Sequence, residues 1–597
     1  MVANFFTAVR WSDIRFMPNN LFVSLQKHSV LALTSLALTA LMCAVPFLQS
    51  FQLDLIYSFN VQMCSAALGL LACLVLLRPI FWRPLYFPVI ALVPVGLILI
   101  LALQVCFGLM SYWQQHFLIG LYLFWTLLMM LLAIALCREF ELAKIVPVLA
   151  WVVFIAGVTS AVITVAKPIS VSLGVVESLN QSKQLANFLA LSLASLLYLL
   201  NTKRVPISVA MMVGTLLLLA LVISHQYLSW LYLAILSVAT WLPIKDKRML
   251  PWQSVWLITI FVIWQLLLPQ ISILGDHVFS KEVHPASLDL YWQYLDEAWQ
   301  IFLNYPLLGA GWGQFGWQDF QLAEAYPQHT GWIKHPHNLI LQLLAETGLA
   351  GTVIFILGLV FWLKRGLQED VSAERRWIYT ALSLLFVYAM FDDGLSDLHV
   401  LGLFALMLGL LEARVYKVLL EWGHLIAGLV IVLSGFALYQ HTTHYKKLQY
   451  WYAQNSFERI TDNQARPMLA QMGELRHQSL LTPYIDLAIV RALPNSPTLV
   501  SDKLSLNTQL IQHSPNAQEV YTQAELLALA GKTIQAKQQL QRALIRHPDH
   551  LYHFTMQLLK NQTKETLPLL HMIVRHNRQF MQDQKNQKNP KVSGKNS

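Results

Sequence analysis

Charge is what this chain has least of: Asp, Glu, Lys and Arg make up 12% of its 597 residues, against about 25% in an average soluble protein. Set beside 56% hydrophobic residues and a mean hydropathy of +0.51, that scarcity excludes collagen, a coiled coil, an intrinsically disordered chain and a soluble nucleic-acid binder. Cysteine is scarce as well. Cys43, Cys64, Cys73, Cys106 and Cys137 all fall in apolar stretches without CxxC spacing, so they read as small core hydrophobes and imply no disulfide framework. A Walker or Rossmann glycine fingerprint is missing, and so is a short apolar leader followed by a small-residue cleavage site. Neither a bound nucleotide nor a cleaved signal peptide is expected.

What is present is a series of apolar runs, each near the roughly 20 residues that a bilayer span needs. They lie near 29–48, 57–77, 85–108, 117–137, 145–166, 184–200, 205–223, 227–243, 251–270, 338–363, 376–391, 397–411 and 422–439. The fold class expected is all-α, a polytopic helical membrane protein of about 13 spans. Basic residues between the runs alternate in number. One set of loops holds 18 Lys and Arg, from Arg10 through Lys417, and the interleaved set holds only Lys167, Lys183, Lys281 and Lys334. Cytoplasmic loops carry the excess of Lys and Arg, so residues 1–28 are expected in the cytoplasm and the tail outside, in the periplasm of a bacterial inner membrane if the source has one.

The net charge of +9 is not spread evenly. From Gln440 onward 19 Lys and Arg face 10 Asp and Glu, whereas residues 1–439 carry 22 of each. The chain therefore divides into a membrane domain over 29–439 and an exterior helical domain over 440–583, with 584–597 expected to be disordered because almost nothing there is apolar. Ala524, Ala536, Leu540, Ala543 and Pro548, with Gly531-Lys532 between them, follow the small, small, large, small, proline pattern of one tetratricopeptide-like repeat near 515–548. Such a repeat needs helical neighbours on either side to bury its faces.

A long exterior loop, 270–337, is large enough to be a working surface. Within it Leu288, Tyr291, Trp292, Leu295, Trp299 and Phe302 have the spacing of an amphipathic helix suited to the bilayer interface. Trp317, Tyr326 and Trp332 add aromatics for stacking on sugar rings or for an interfacial belt. The loop runs into His335-Pro336-His337-Asn338 and the span that follows. Asn338, Gln342 and Glu346, spaced i, i+4, i+8, would form one polar stripe descending about 12 Å on a helix. A carboxylate at that depth marks either a functional site or a structural hydrogen-bond stripe. His337, at the mouth of the span, has a side chain suited to take a proton from a hydroxyl at neutral pH, with a purely structural helix cap as the alternative. His335 and His337 could offer two metal ligands, but no third has suitable spacing, so no metal is expected.

The His-Asn-x3-Gln-x3-Glu-x-Gly pattern, together with Tyr305-Pro306-Leu307-Leu308-Gly309-Ala310-Gly311 in the loop before it, resembles the O-antigen ligase and Wzy polymerase superfamily. Gln181-Ser182-Lys183-Gln184-Leu185-Ala186 is similar to a segment of the PglL-type protein O-oligosaccharyltransferases, and an exterior helical tail also suits that branch. The resemblance spans roughly residues 30 to 440. It implies transfer of a preassembled glycan from undecaprenyl diphosphate to Ser or Thr hydroxyls of an exported, pilin-like acceptor protein, without a cofactor. It implies that His337 takes the place of an essential histidine and Gln181 that of a required glutamine.

The sequence departs from the family at its cations. Ser224-His225-Gln226 stands where relatives carry a Ser-Arg pair. Leu288 precedes Trp292 where they carry an arginine, and Asp392-Asp393-Gly394-Leu395 replaces a Glu-Phe-Pro-Leu segment. Lys334 and Lys183 are thus expected to hold the diphosphate, with His335, Asn338, Gln342 and Glu346 around the substrate. Two other readings stay open: a ligase or polymerase acting on a lipid-linked polysaccharide, and a non-catalytic transporter or scaffold.

Overall fold

The computed structural model describes residues 29–48, 56, 58–170, 179–241, 252–270, 288–412, 415–454, 462–493, 495 and 499–588. The described residues are predominantly helical. The first group of helices is α1 (Val30–Met42), α2 (Val45–Leu48), α3 (Phe59–Ala72), α4 (Leu92–Cys106), α5 (Trp113–Glu139), α6 (Leu142–Ser170) and α7 (Leu179–Asn201). It continues with α8 (Ile207–Ile223), α9 (Leu228–Trp241) and α10 (Trp252–Leu267). The long loop contributes α11 (Leu288–Asn304) and α12 (Phe315–Gln321), and it is followed by α13 (Leu339–Gly366), α14 (Ala373–Phe391), α15 (Leu398–Leu410) and α16 (Gly423–Gln454). The tail folds as α17 (Asp462–Gln478), α18 (Thr482–Ala492), α19 (Val500–His513), α20 (Ala517–Leu529), α21 (Thr533–Arg546), α22 (Leu551–Lys560) and α23 (Leu567–Lys588).

Nine described helices are long and apolar enough to cross a membrane, and α8, α9 and α15 are shorter apolar helices. The protein is a multi-pass membrane protein. The apolar run at 376–391 lies within α14, whose first turn carries Glu374, Arg375 and Arg376. The all-α fold carries one small exception among the described residues. Leu85–Pro88 and Val415–Val418 pair as a short antiparallel ribbon, Leu85 opposite Val418 and Pro88 opposite Val415, so the run expected over 85–108 starts as a strand and becomes helical only beyond it.

The chain divides into two compact units, whose last break, between Thr442 and Thr443, lies beside Gln440, and each unit also takes in segments from elsewhere in the chain. The first comprises Met1–Leu99, Ile119–Pro285 and Val353–Thr442. Its core is one continuous apolar cluster that includes Leu132, Leu136, Leu149, Leu189, Leu217 and Leu385. Small polar side chains tie its helices together: Ser192 Oγ donates to Val153 O at 3.1 Å, and Asn187 Nδ2 to Leu384 O at 3.0 Å, as expected where apolar lipid offers no hydrogen-bond partner.

The second unit gathers Ile100–Leu118, Ala286–Thr352 and Thr443–Ser597. The ends of α4 and α5, the long loop and the tail thus form one body. Tyr112, between α4 and α5, donates to Asp486 Oδ2 of α18 at 2.9 Å, and Arg476 of α17 donates to Asp486 Oδ1 at 2.5 Å. In the tail each helix from α17 to α21 packs on the next. Ala524, Ala536, Leu540 and Ala543 are fully buried in the α20–α21 hairpin, where small residues let the two helices approach closely. α16 runs unbroken through Gln440 to Gln454, and α23 continues past Gln584 to Lys588. The rest of the stretch expected to be disordered lies outside the described residues.

Candidate active site

α13 is not one regular helix. At Gly348 the backbone turns to φ 65°, ψ −165°, which interrupts the helical ladder and exposes donors and acceptors that must be paired where no water reaches them. The Tyr305–Gly313 loop pairs them. Ala310 N donates to Ala345 O at 2.8 Å and Gly311 N to Glu346 O at 3.2 Å, while Leu349 N donates to Pro306 O at 2.9 Å and Ala350 N to Leu307 O at 3.2 Å. Gln104 of α4, fully buried, closes the arrangement: its Nε2 donates to Leu308 O and Glu346 O, each at 2.7 Å, and its Oε1 accepts from Trp312 N at 3.2 Å. The two glycine-containing motifs singled out in the sequence are therefore the two halves of one backbone interlock.

His337 stands directly before this element. Its φ is +52°, a left-handed conformation that histidine adopts more readily than most residues and that marks functional positions when the surroundings enforce it. Here Asn338 enforces it from one side, its Oδ1 accepting from Ile340 N and Leu341 N, both at 3.1 Å, as the N-cap of α13. The imidazole is half-buried. It meets the His335 ring edge-on with centroids 4.4 Å apart and the Tyr294 ring of α11 at 6.0 Å.

The other expected site residues are distributed differently from the polar stripe anticipated. Asn338 caps α13 through its Oδ1. Glu346 is 3% exposed, with Oε1 accepting from Phe315 N at 3.4 Å at the start of α12, so it braces the interlock in place of facing outward. Gln342 lies between them, half-buried. Lys183, in the first compact unit, pairs with Asp392 at 3.2 Å, and its charge is already offset. Lys334 is exposed. Gln181 falls on α7, and its side chain lies outside the described residues, as does Lys281.

The sequence reading missed a second cluster altogether. Glu297 of α11, Asp319 of α12 and His329 bring their ligand atoms within 4.8 Å of one another. Arg546, from the end of α21, enters the same space, its Nη2 2.8 Å from Asp319 Oδ1 and 3.5 Å from Glu297 Oε1. His329 Nε2 lies 3.0 Å from Glu297 Oε1 and 3.3 Å from Asp319 Oδ1. The guanidinium thus lies among these carboxylates and links them in a buried ionic clamp. The one clue in the sequence was Glu297 beside Ala298 and Ile301, the residues that α11 buries; its Trp292 and Trp299 point outward, 65% and 44% exposed. The sequence reading had followed the aromatic face.

Burial pushes the Glu297 carboxyl up to about 7. At His329 burial pulls the imidazole down, but the hydrogen bonds to Asp319 and Glu297 outweigh it and leave the group above its ordinary value. Both shifts mean that the folded cluster holds protons that the unfolded chain releases, so its contribution is present at low pH and is lost as pH rises through about 7. Thermal unfolding of the purified protein should accordingly shift to lower temperature between about pH 5 and pH 7.5. Glu297→Gln, which holds its proton at every pH, should flatten that dependence; stability that rises with pH over this range would contradict the assignment.

Residues 169–356, which carry Gln181, Lys183, the long loop, His337 and the interlock, match the family model described as O-antigen ligase. Residues 395–561, which include α21 and Arg546, match the one described as virulence factor membrane-bound polymerase, C-terminal. No curated protein and no solved structure matches the chain. The clamp of Arg546 on Asp319 thus joins the segments of two matched families within a single compact unit.

Proposed function

The two matches support membership of the O-antigen ligase and polymerase superfamily, and with it glycan ligation or polymerisation on a lipid-linked substrate; from there we propose the following reaction. The protein transfers a preassembled glycan from undecaprenyl diphosphate to a Ser or Thr hydroxyl of an exported, pilin-like protein at the outer face of the inner membrane. The observation that carries the reading is His337, held left-handed at the mouth of a broken membrane helix inside the matched ligase segment. Its imidazole takes the acceptor hydroxyl proton as the oxygen attacks the anomeric carbon. The bond from that carbon to the diphosphate breaks, the lipid diphosphate leaves with the electron pair, and the imidazolium returns its proton to water. No metal or cofactor is invoked, since the donor is already activated.

Lys334, exposed and three residues before His337, is the cation best suited to the departing diphosphate. Lys334→Ala should lower turnover by about tenfold or more, as loss of a charge-assisted contact to a leaving group does, while Lys334→Arg should retain it. Wild-type turnover in Lys334→Ala would remove the residue from this role. The N-terminus is placed in the cytoplasm and the tail outside, a topology supported by the tail and His337 belonging to one compact unit.

A second reading, ligation or polymerisation of polysaccharide, draws on the polymerase C-terminal match. Glycan mass on exported proteins in a deletion strain separates the two. Loss of protein-linked glycan supports the first, and unchanged protein glycosylation with altered surface polysaccharide supports the second.

A further inference from the structure

Arg546 is fully buried, and both of its terminal nitrogens point into the long loop. Nη2 donates to Asp319 Oδ1 at 2.8 Å and Asp319 O at 3.1 Å; Nη1 donates to Tyr326 O at 2.7 Å and His329 O at 3.3 Å. The carbonyl of Arg546 accepts from Gly331 N, and Asp319 Oδ2 accepts from Ile333 N at 3.0 Å. The clamp therefore fixes the backbone at Tyr326, His329, Gly331 and Ile333. A buried ion network of this kind adds little net stability over apolar packing, because removing four polar groups from water offsets most of their attraction. Its value lies in specifying one arrangement.

The arrangement specified leads to His337. Ile333 is pinned by the clamp on one side, and Asn338 is pinned by the helix cap on the other, which leaves only a short connection bearing His337. The rings continue the path: His329 packs edge-on against Tyr294 at 5.4 Å, and Tyr294 lies 6.0 Å from His337. Trp332 Nε1 donates to Asn516 Oδ1 at 3.3 Å, a second tie from the loop to the tail. A displacement of about 1 Å at a reacting group is enough to lower a rate by about 10²-fold.

We propose that Arg546 is a positioning residue for glycan transfer: through its buried guanidinium the C-terminal helical domain sets the loop segment that presents His337. The proposal rests on the reading of His337 as general base. It makes the tail part of the catalytic apparatus in cis, in addition to any role in holding an acceptor.

The test uses full-length protein in nanodiscs with a lipid-linked glycan donor and a Ser-containing acceptor peptide, comparing wild type, Arg546→Lys, Arg546→Met and the double variant Arg546→Met with Asp319→Asn. The double variant removes both charges and keeps the volume, so it guards against simple unfolding. Hydrogen exchange is read over 326–337 and over α20–α21, and transfer is read as kcat and KM. The expected result is faster exchange in 326–337 with α20–α21 still protected in the double variant, kcat lowered by about 10- to 100-fold, donor KM within about twofold, and partial recovery of kcat in Arg546→Lys. Wild-type kcat in a double variant whose α20–α21 hairpin remains protected overturns the proposal, whether or not the loop loosens. A fall confined to acceptor KM also overturns it, and indicates a docking role instead. His337→Ala in the same assay keeps the two readings apart: if that variant still transfers glycan, the base assignment fails, while the exchange data still report whether Arg546 holds the loop.

Discussion

Replacing His337 with alanine is expected to lower glycan transfer by about 10²- to 10⁴-fold, the contribution typical of a general acid–base group, in a protein that still folds. The ring is half-buried and its aromatic neighbours are His335 and Tyr294, so its removal leaves a small gap near the surface. α13 keeps its N-cap, because the hydrogen bonds that make it belong to Asn338. Alanine at φ +52° does add left-handed strain of about 1–2 kcal/mol. A companion variant, His337→Asn, separates strain from chemistry, since asparagine tolerates that conformation and cannot act as a base at neutral pH. Initial rates with lipid-linked donor on purified protein decide the matter. If His337→Asn is folded and transfers at near the wild-type rate, His337 is not the base. His335→Ala should be milder, and an equal loss at both positions would shift attention to the pair.

The second large effect is structural. Gly348→Ala and Gly309→Ala should each remove most of the folded protein. Both glycines have left-handed φ, +65° and +72°, and a Cβ at either would run into backbone: 2.4 Å from Leu307 O at Gly348, and 2.3 Å from the Glu346 carbonyl carbon at Gly309. Backbone atoms locked in the interlock cannot turn aside as a flexible side chain would. Conformational strain and overlap together should exceed about 4 kcal/mol, a large share of the stability of a typical protein. Gly313→Ala is the control for strain alone, since its φ is +77° but nothing lies within 4 Å of the added carbon. Gly435→Ala, with an open position and no left-handed φ, should be tolerated or slightly stabilising. Yield of monodisperse protein and the unfolding midpoint measure all four; a Gly348→Ala protein as stable as Gly313→Ala would mean that the break in α13 is not rigid.

Much of the architecture was legible in the sequence because it is specified locally. A long apolar run makes a membrane helix whatever its neighbours are, since within lipid the backbone can pair only with itself. The hairpin of α20 and α21 could be read from Ala524, Ala536, Leu540 and Ala543 for a similar reason: small residues at fixed spacing prescribe a close helix pair. The His337-Asn338 turn and the glycine motifs could be singled out from the sequence too, although the contacts that each of them makes could not. Asn338 and Glu346 appeared as members of one stripe, whereas one caps a helix and the other braces a loop.

What only the tertiary structure decided are the partners of buried polar groups, because these are set by whichever segment arrives from far along the chain. Gln104 reaches Glu346 across 242 positions, and Arg546 reaches Asp319 across 227; no local periodicity encodes either meeting. The division of the chain was settled in the same way. Composition drew a boundary at Gln440, close to the break at Thr442–Thr443, but it could not show that the ends of α4 and α5 and the long loop join the tail in one unit through such distant pairs. α11 shows the limit most directly. Its spacing determined that one face is aromatic and another polar, but an amphipathic pattern does not say which face meets protein, and it was the acid-bearing face with Glu297 that became buried, where His329 and Arg546 arrive as its partners.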